Sequence, residues 1–357
     1  MSKKTIALLP GDGIGPEIVA AAKLLLQALG DYNFQEYPLG GASLDAHGVA
    51  LTPEVLDACR QADAVLMGAV GDYKQRSPEL DRPEVGIDQI RQGLKIYANL
   101  RPIKLYSALL NSSPLKREII EGTDILLVRE LSSGSYFGKK VEGTEVASDN
   151  CEYTRQQVEN IAHLAFQLAE TRGQKFKVTS IDKANVLASS RLWRHVVNEV
   201  SGSHSGIELE HMLVDNAAMQ LISRPRDFDV LLTENLFGDI LSDEMATIVS
   251  SLGMIPSAGL SLHGPGLYES AHGSAPDIAG AGIANPIATF LAVALLFRYQ
   301  FQDEDKASSI ERAVEKTITR HRTADLVRLA DTEDSEPKEA LIVVNTQEMT
   351  DAVTSNL

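Results

Sequence analysis

Apolar positions along the chain fall into two alternating patterns. Short β-rich runs, "TIALL" at 5–9, "DAVLMGAV" at 63–70, "ILLVREL" at 125–131, "KVTSID" at 177–182 and "DVLLTE" at 229–234, read as strands. Between them lie segments with helical spacing, such as "EIVAAAKLLLQAL" at 17–29 and "RQQVENIAHLAFQLAETR" at 155–172. The alternation predicts an α/β protein on a largely parallel sheet, without internal repeats. Helix starts are marked by Thr52 with Pro53, by Thr154, and by Asn285 with Pro286, because a side-chain cap or a proline suits the unbonded first turn. Residues 134–154, "GSYFGKKVEGTEVASDNCEYT", mix turn residues with β-formers and predict a hairpin-like projection, serving either oligomerisation or as a plain surface loop. The acidic "DTEDSEP" at 331–337 reads as a solvated turn.

The turn "LPGDGIGPEI" raises the question of a dinucleotide loop. A G-x-G-x-x-G fingerprint needs its third glycine for close helix packing, and Pro16 stands there. The pattern still predicts strand, tight turn and helix, with Pro16 at the helix start. The stretch Gly273 to Gly282, ahead of the helix after Asn285, is the better dinucleotide loop, with a structural glycine loop as the alternative.

The 357 residues are 44% hydrophobic and 23% charged, enough for two domains with separate cores. A formal charge of −16 argues against nucleic acid and anionic membranes as partners, so an anionic ligand needs a local basic cluster. Cys59 and Cys151 lack disulfide or metal spacing, as expected in a reducing cytosol. No apolar run is long enough for a membrane span, and "MSKKTIALLP" holds too short an apolar run for the export signal expected of a secreted chain.

In "TENLFGDILSDEMATIV", Asp239 and Asp243 sit four residues apart on one helical face. Like charges so placed repel, which a divalent cation would offset, and oxygen-only ligation favours Mg²⁺ or Mn²⁺; the alternative is a solvated acidic face. Arg91, Arg101 and Arg129 lie at element ends, where guanidinium forks could converge on a carboxylate substrate or simply face solvent. Lys183 and Asp215 follow strands, at the carboxyl-end positions where open α/β sheets bind ligands, though polar loop residues are common there too. Tyr136 is either functional or a packing aromatic.

These segments, with "RPEVGI", "YANLRP", "TSIDKANVLASSRLWR", "HMLVDNAAMQL", "SLGMIPSA" and "HGSAPDIAGAGIANP", occur in an order that resembles the β-decarboxylating isocitrate/isopropylmalate dehydrogenase family through nearly the whole chain. The resemblance implies a non-Rossmann two-domain fold with a sheet running through both domains. Residues 1–97 plus 250–357 would form the cofactor-side domain, and 98–249 the dimerising, substrate and metal domain with the arm 134–154. It implies oxidative decarboxylation of a malate-type 2-hydroxy acid with NAD and Mg²⁺ or Mn²⁺, by a cytoplasmic homodimer with shared active sites. 3-Isopropylmalate is the leading substrate and leucine biosynthesis the setting; homoisocitrate, isocitrate, tartrate and D-malate are the alternatives. By position, Arg91, Arg101 and Arg129 would clamp the substrate carboxylates, and Asp215, Asp239 and Asp243 would ligate the metal, with Asp215 also near the substrate. Lys183 would take the hydroxyl proton and Tyr136 would protonate the enol carbon. Ile14, Gly71, Glu84, Asn185, His272, Gly273, Ser274, Ala275, Asp277 and Asn285 would line the cofactor, Asp277 favouring NAD over NADP. Two places depart from the family pattern. The loop "GDYKQ" at 71–75 replaces a Gly-Gly-Pro-Lys-Trp run, and Ile87 and Asp88 replace two leucines, so that Ile87 keeps an apolar substrate contact while Asp88 turns toward Arg91 or alters the pocket.

Overall fold

A computed structural model describes residues 3–71, 82–327 and 341–357, so the departures at 72–75 and the acidic segment 331–337 lie outside the described residues. In chain order the strands among the described residues are β1 (Thr5–Gly11), β2 (Asn33–Glu36), β3 (Ala64–Ala69), β4 (Ile96–Lys104), β5 (Asp124–Glu130), β6 (Lys140–Val141), β7 (Ser148–Asp149), β8 (Lys177–Asp182), β9 (Glu208–Leu213), β10 (Val230–Thr233), β11 (Pro256–Ser261), β12 (Leu267–Ser270), β13 (His321–Arg322) and β14 (Ile342–Val343), the last two pairing only with each other. The chain divides into two compact units, one of Met1–Ile96 with Ser250–Leu357 and one of Tyr97–Val249.

In the first unit the strand order is β2-β1-β3-β12-β11, parallel except that β11 runs against β12. Its central helix, Ile287–Leu295, is apolar all round and buried along its whole length, as a helix without a polar face must be. The helix Gly15–Leu29 has Pro16 in its first turn and buries Ile18, Val19, Ala22, Leu25 and Leu26, the spacing of one face.

In the second unit the order is β4-β5-β10-β8-β9, all parallel except β4 against β5. Each unit therefore carries an antiparallel pair that the strand-like runs alone did not signal. The helix Arg155–Arg172 opens with a capping box between Thr154 and Gln157 and lays Val158, Ile161, Ala165 and Phe166, all fully buried, toward β5, β8 and β10. The projection at 134–154 is a short antiparallel ribbon, Lys140 opposite Asp149 and Val141 opposite Ser148. Among the described residues no helix is long and apolar enough to cross a membrane.

Candidate active site

The antiparallel register of β4 and β5 pairs Asn99 with Arg129. Arg101, two residues along β4, thus shares a face with Arg129 as its diagonal neighbour. Above that face runs the helix Asn235–Ala246, and Gly238 lets it come close: a Cβ there would lie 2.3 Å from Thr233 Oγ1 and 2.8 Å from Arg129 Cγ. The helix starts where Glu234 caps the Phe237 amide at 2.7 Å. Asp239 and Asp243 are carried directly over the two arginines.

Arg129 is almost wholly buried and donates through Nη1 to Asp239, while Nε and Nη2 both donate to Asn235 Oδ1, at 3.0 and 2.6 Å. Arg101 Nη1 reaches Ser242 Oγ at 2.6 Å and Asp243 Oδ1 at 3.3 Å, and its Nε donates to Asn99 Oδ1 at 3.0 Å. The Tyr136 hydroxyl donates to Asp239 Oδ2 at 2.6 Å, and its ring centre lies 5.3 Å from the Arg129 guanidinium carbon. Burial opposes ionisation of Asp239, but the charges of Arg129 and Arg101 and the Tyr136 hydrogen bond outweigh it and hold the carboxyl below its usual range. Asp243 goes the other way: burial and the Asp239 charge raise it against the pull of Arg101. Burial, then the bond to and charge of Asp239, push the Tyr136 phenol up to about 12, so it is protonated at neutral pH. The Asp243 side chain is 62% exposed and the Arg129 side chain only 2%, which gives a buried cationic floor beneath accessible carboxylates.

Lys183 and Asp215 meet because β8 and β9 are parallel neighbours in register, Asp182 opposite Leu213. Lys183 Nζ lies 2.7 Å from Asp215 Oδ1. That bond, followed by the amide of Asp215 itself, lowers the Asp215 carboxyl from its ordinary value. The turn carrying Lys183 is fixed by buried Asp182, which accepts two bonds from Arg194, at 2.7 and 2.8 Å, and one from the Ala184 amide at 2.8 Å. Beside this pair is an open hollow of about 750 Å³, lined in part by Asn185, Arg194, His211 and Asn216. Among the described residues no three Asp, Glu, His or Cys side chains converge as a metal site, so within one chain Asp215 stays with Lys183 rather than joining Asp239 and Asp243.

In the first unit, the question posed by the glycine turn has a structural answer. Buried Asp12 turns its carboxylate inward and accepts the amides of Gly41, Ala42 and Gly71, at 2.8, 2.8 and 2.9 Å. The start of the helix Gly41–His47 therefore holds an anion supplied by the chain itself, where a phosphate loop would leave the place for a ligand. The turn also borders the second glycine loop: the Ile14 amide donates to Ser274 O at 2.8 Å. Gly71 adopts φ +121°, and a Cβ on it would stand 3.1 Å from Glu84 Oε1 and 3.7 Å from Ser274 Oγ, so Ile14, Gly71, Glu84 and Ser274 lie together. His272 sets Nδ1 2.9 Å from Gly273 O, and its Nε2 is buried without a hydrogen-bond partner. Ala275 takes φ +38°, Gly273 faces open space and Asp277 is exposed. Asn285 is committed internally, its Oδ1 capping the Ile287 amide at 3.0 Å and its Nδ2 donating to Asp325 at 3.0 Å. Arg91, on the helix Val85–Gly93, donates to Glu269 Oε1 at 3.0 Å, and Ile87 on the same helix is half-buried.

Several residues that shape these groups belong to no motif of their own in the sequence. Asn235 holds Arg129, and Glu234, Tyr153 and Asn235 form a chain in which the Tyr153 hydroxyl donates to Glu234 at 2.8 Å and accepts the Asn235 amide at 3.0 Å. The strand-end "TEN" just before the aspartate helix was the available hint, because polar residues at a strand's carboxyl end precede the helix cap.

Residues 5–353 match the family model described as "Isocitrate/isopropylmalate dehydrogenase". A 3-isopropylmalate dehydrogenase of Halalkalibacterium halodurans is 51% identical over 91% of this chain and 93% of its own length. One of Pseudomonas putida is 48% identical over 99% of both. Among solved structures, an isocitrate dehydrogenase of Methylococcus capsulatus superimposes with TM-score 0.84 at 32% identity over 99% of both chains. A β-decarboxylating dehydrogenase of Thermococcus kodakarensis does so with TM-score 0.77 at 33% identity, covering 99% of this chain and 96% of that one.

Proposed function

Because the chain belongs to the isocitrate/isopropylmalate dehydrogenase family, we propose that it oxidises and decarboxylates 3-isopropylmalate to 4-methyl-2-oxopentanoate in leucine biosynthesis, with NAD and Mg²⁺ or Mn²⁺, in the cytoplasm. The observation that carries this reading is the floor of Arg101 and Arg129 beneath Asp239 and Asp243, a site with both carboxylate-binding and metal-binding groups. The substrate follows from relatives of that name, near half identity over nearly the full length, against about a third for the isocitrate dehydrogenase structure.

The donors suit a hard cation: Asp239 and Asp243 offer oxygen only, one of them held ionised by two arginines, and Asp215 supplies a third carboxylate. When bound, the cation acts as a Lewis acid on the substrate oxygens. The unpartnered Nε2 of His272, the open space at Gly273 and the exposed Asp277 suit a dinucleotide, and the absence of Lys and Arg from Gly273 to Asn285 favours NAD over NADP.

Arg101 and Arg129 grip a substrate carboxylate and fix the carbon bearing the hydroxyl, and Arg91 is assigned to the same task by its match to the family pattern. Lys183, in its neutral form, would accept the hydroxyl proton; a bound nicotinamide would supply the hydride acceptor, and Glu84 and Asn185 are the residues assigned to its side. The bond to the β-carboxylate then breaks, CO₂ departs, and Tyr136, which holds its proton at neutral pH, protonates the resulting enol carbon. Ile87 receives the isopropyl group.

We assign each site to two chains, with Tyr136, Asp239 and Asp243 from one protomer and Lys183 and Asp215 from its partner. Within a chain the two groups are separate, and the second unit exposes Val186 (63%), Met219 (61%) and Ile240 (58%), apolar side chains that suit a dimer interface. Complementation tests activity and sharing together. Lys183→Ala and Tyr136→Phe homodimers should each be nearly inactive on 3-isopropylmalate, and co-refolding should restore roughly a quarter of wild-type sites by random pairing. An inactive mixture with proven subunit exchange contradicts the shared site.

A further inference from the structure

Glu17 belongs to neither the substrate nor the metal group, yet its carboxylate reaches across the chain to the glycine loop. Its Oε1 accepts the Ala284 amide at 2.9 Å and its Oε2 the Gly282 amide at 3.3 Å. The far side of that stretch is also tied: the Thr346 amide donates to Gly282 O at 2.9 Å and the Thr346 hydroxyl to Ala284 O at 2.7 Å. Gly282 needs this bracing because it takes φ +69°, as Gly280 takes φ +75°, and glycines lose the most freedom on being ordered.

The same short stretch of chain grips the loop at its other end. The Ile14 amide holds Ser274 O at 2.8 Å, and Gly13 packs so close that a Cβ would stand 2.0 Å from that oxygen. Between the two attachments, Ile14 and Ile18 form an apolar cluster with Ala284, against which Ala275 and Ile278 pack. Residues 13–18 thus template the loop from Ser274 to Ala284 through a backbone bond, an apolar patch and one carboxylate. A loop fixed in advance spares the ligand the cost of ordering it.

We propose that Glu17 is a positioning residue for NAD: it holds the Gly282–Ala284 segment so that the loop is already in its binding shape when the dinucleotide arrives. This rests on the reading that the loop His272–Asn285 receives the dinucleotide.

The test measures NAD binding to the whole protein by calorimetry, hydrogen exchange of the Gly282 and Ala284 amides, and steady-state kinetics, for Glu17→Ala, Glu17→Gln and, as a control in the loop itself, Asp277→Ala. Glu17→Ala should lose protection at both amides and raise the Kd and KM for NAD about tenfold, with kcat at saturating NAD within about twofold of wild type. Glu17→Gln keeps one acceptor oxygen and should fall between, about threefold in Kd. If Glu17→Ala does not fold, Glu17→Gln decides, and an unchanged NAD affinity in it overturns the proposal. Wild-type NAD affinity in Glu17→Ala, with weakened binding in Asp277→Ala, refutes the role of Glu17 and leaves the loop assignment standing. Unchanged affinity in both variants removes the loop assignment and the proposal with it.

Discussion

Asn235 is the residue through which the carboxylate clamp can be tested without touching the clamp. It is fully buried, accepts two bonds from the Arg129 guanidinium, and anchors itself by donating from Nδ2 to Ser133 O at 3.0 Å. Asn235→Ala removes the acceptor that two N–H groups of a buried cation use. At about 1.5–3 kcal/mol for each bond to a charged group, stability should fall by about 3 kcal/mol or more, less whatever an entering water restores. The functional loss should be separate and larger in proportion, because Arg129 loses the acceptor that fixes its Nε–Nη2 edge, and a shift near ~1 Å at a positioning group costs about a hundredfold in rate. Asn235→Asp keeps the oxygen that accepts from Arg129 but replaces the Nδ2 donor to Ser133 O with a carboxylate oxygen and cancels the Arg129 charge, so it should also lose stability while weakening 3-isopropylmalate binding about tenfold or more. The assays are urea unfolding, kcat/KM, and substrate affinity measured directly. If Asn235→Ala folds and turns over 3-isopropylmalate within about threefold of wild type, then either Arg129 does not hold the substrate or Asn235 does not hold Arg129.

Asp12→Ala should destabilise the protein by about 3 kcal/mol or more in urea, since three backbone amides lose a charged acceptor, and Asp12→Asn by less; a loss below about 1 kcal/mol contradicts the inward-turned carboxylate. Glu130 gives a pH dependence. Burial, opposed by bonds from Ser132 and Ser133, raises its carboxyl from 4.5 to about 7. The folded state therefore binds the proton more tightly than the unfolded one, and this contribution is full below the unfolded value and lost as pH rises toward 7. Its size is about 3 kcal/mol, and Glu130→Gln should flatten the stability profile across that window; an unaltered profile refutes the assignment to Glu130.

What the sequence made legible follows from the range of the forces involved. Helix starts at Pro53, Arg155 and Ile287 are local events, set by a cap or a proline within a few residues, and each lies where the pattern predicts. The aspartate pair was equally readable, because two residues four apart on one helix must share a face. Its neutralisation by Arg101 and Arg129 was not, since it depends on the β4–β5 register and on Gly238 admitting the helix. Lys183 and Asp215 were each placed after a strand, but only the pairing of β8 with β9 brings them to 2.7 Å. The glycine turn shows the limit most plainly. Pro16 argued against a phosphate loop, whereas the reason the turn needs no phosphate is Asp12 binding amides 29, 30 and 59 residues away. The antiparallel pairs β4–β5 and β11–β12 were missed because strand direction leaves no trace in hydrophobic periodicity.

The most direct measurement is product stoichiometry from 3-isopropylmalate: NADH and CO₂ followed together in the presence of Mg²⁺ or Mn²⁺, with isocitrate and malate in parallel and a chelated sample as control. Equal amounts of NADH and CO₂ are expected from 3-isopropylmalate, with far lower kcat/KM on the other two acids and loss of turnover on chelation. Preferred turnover of isocitrate or malate, NADH without CO₂, or full turnover after exhaustive chelation would contradict the account.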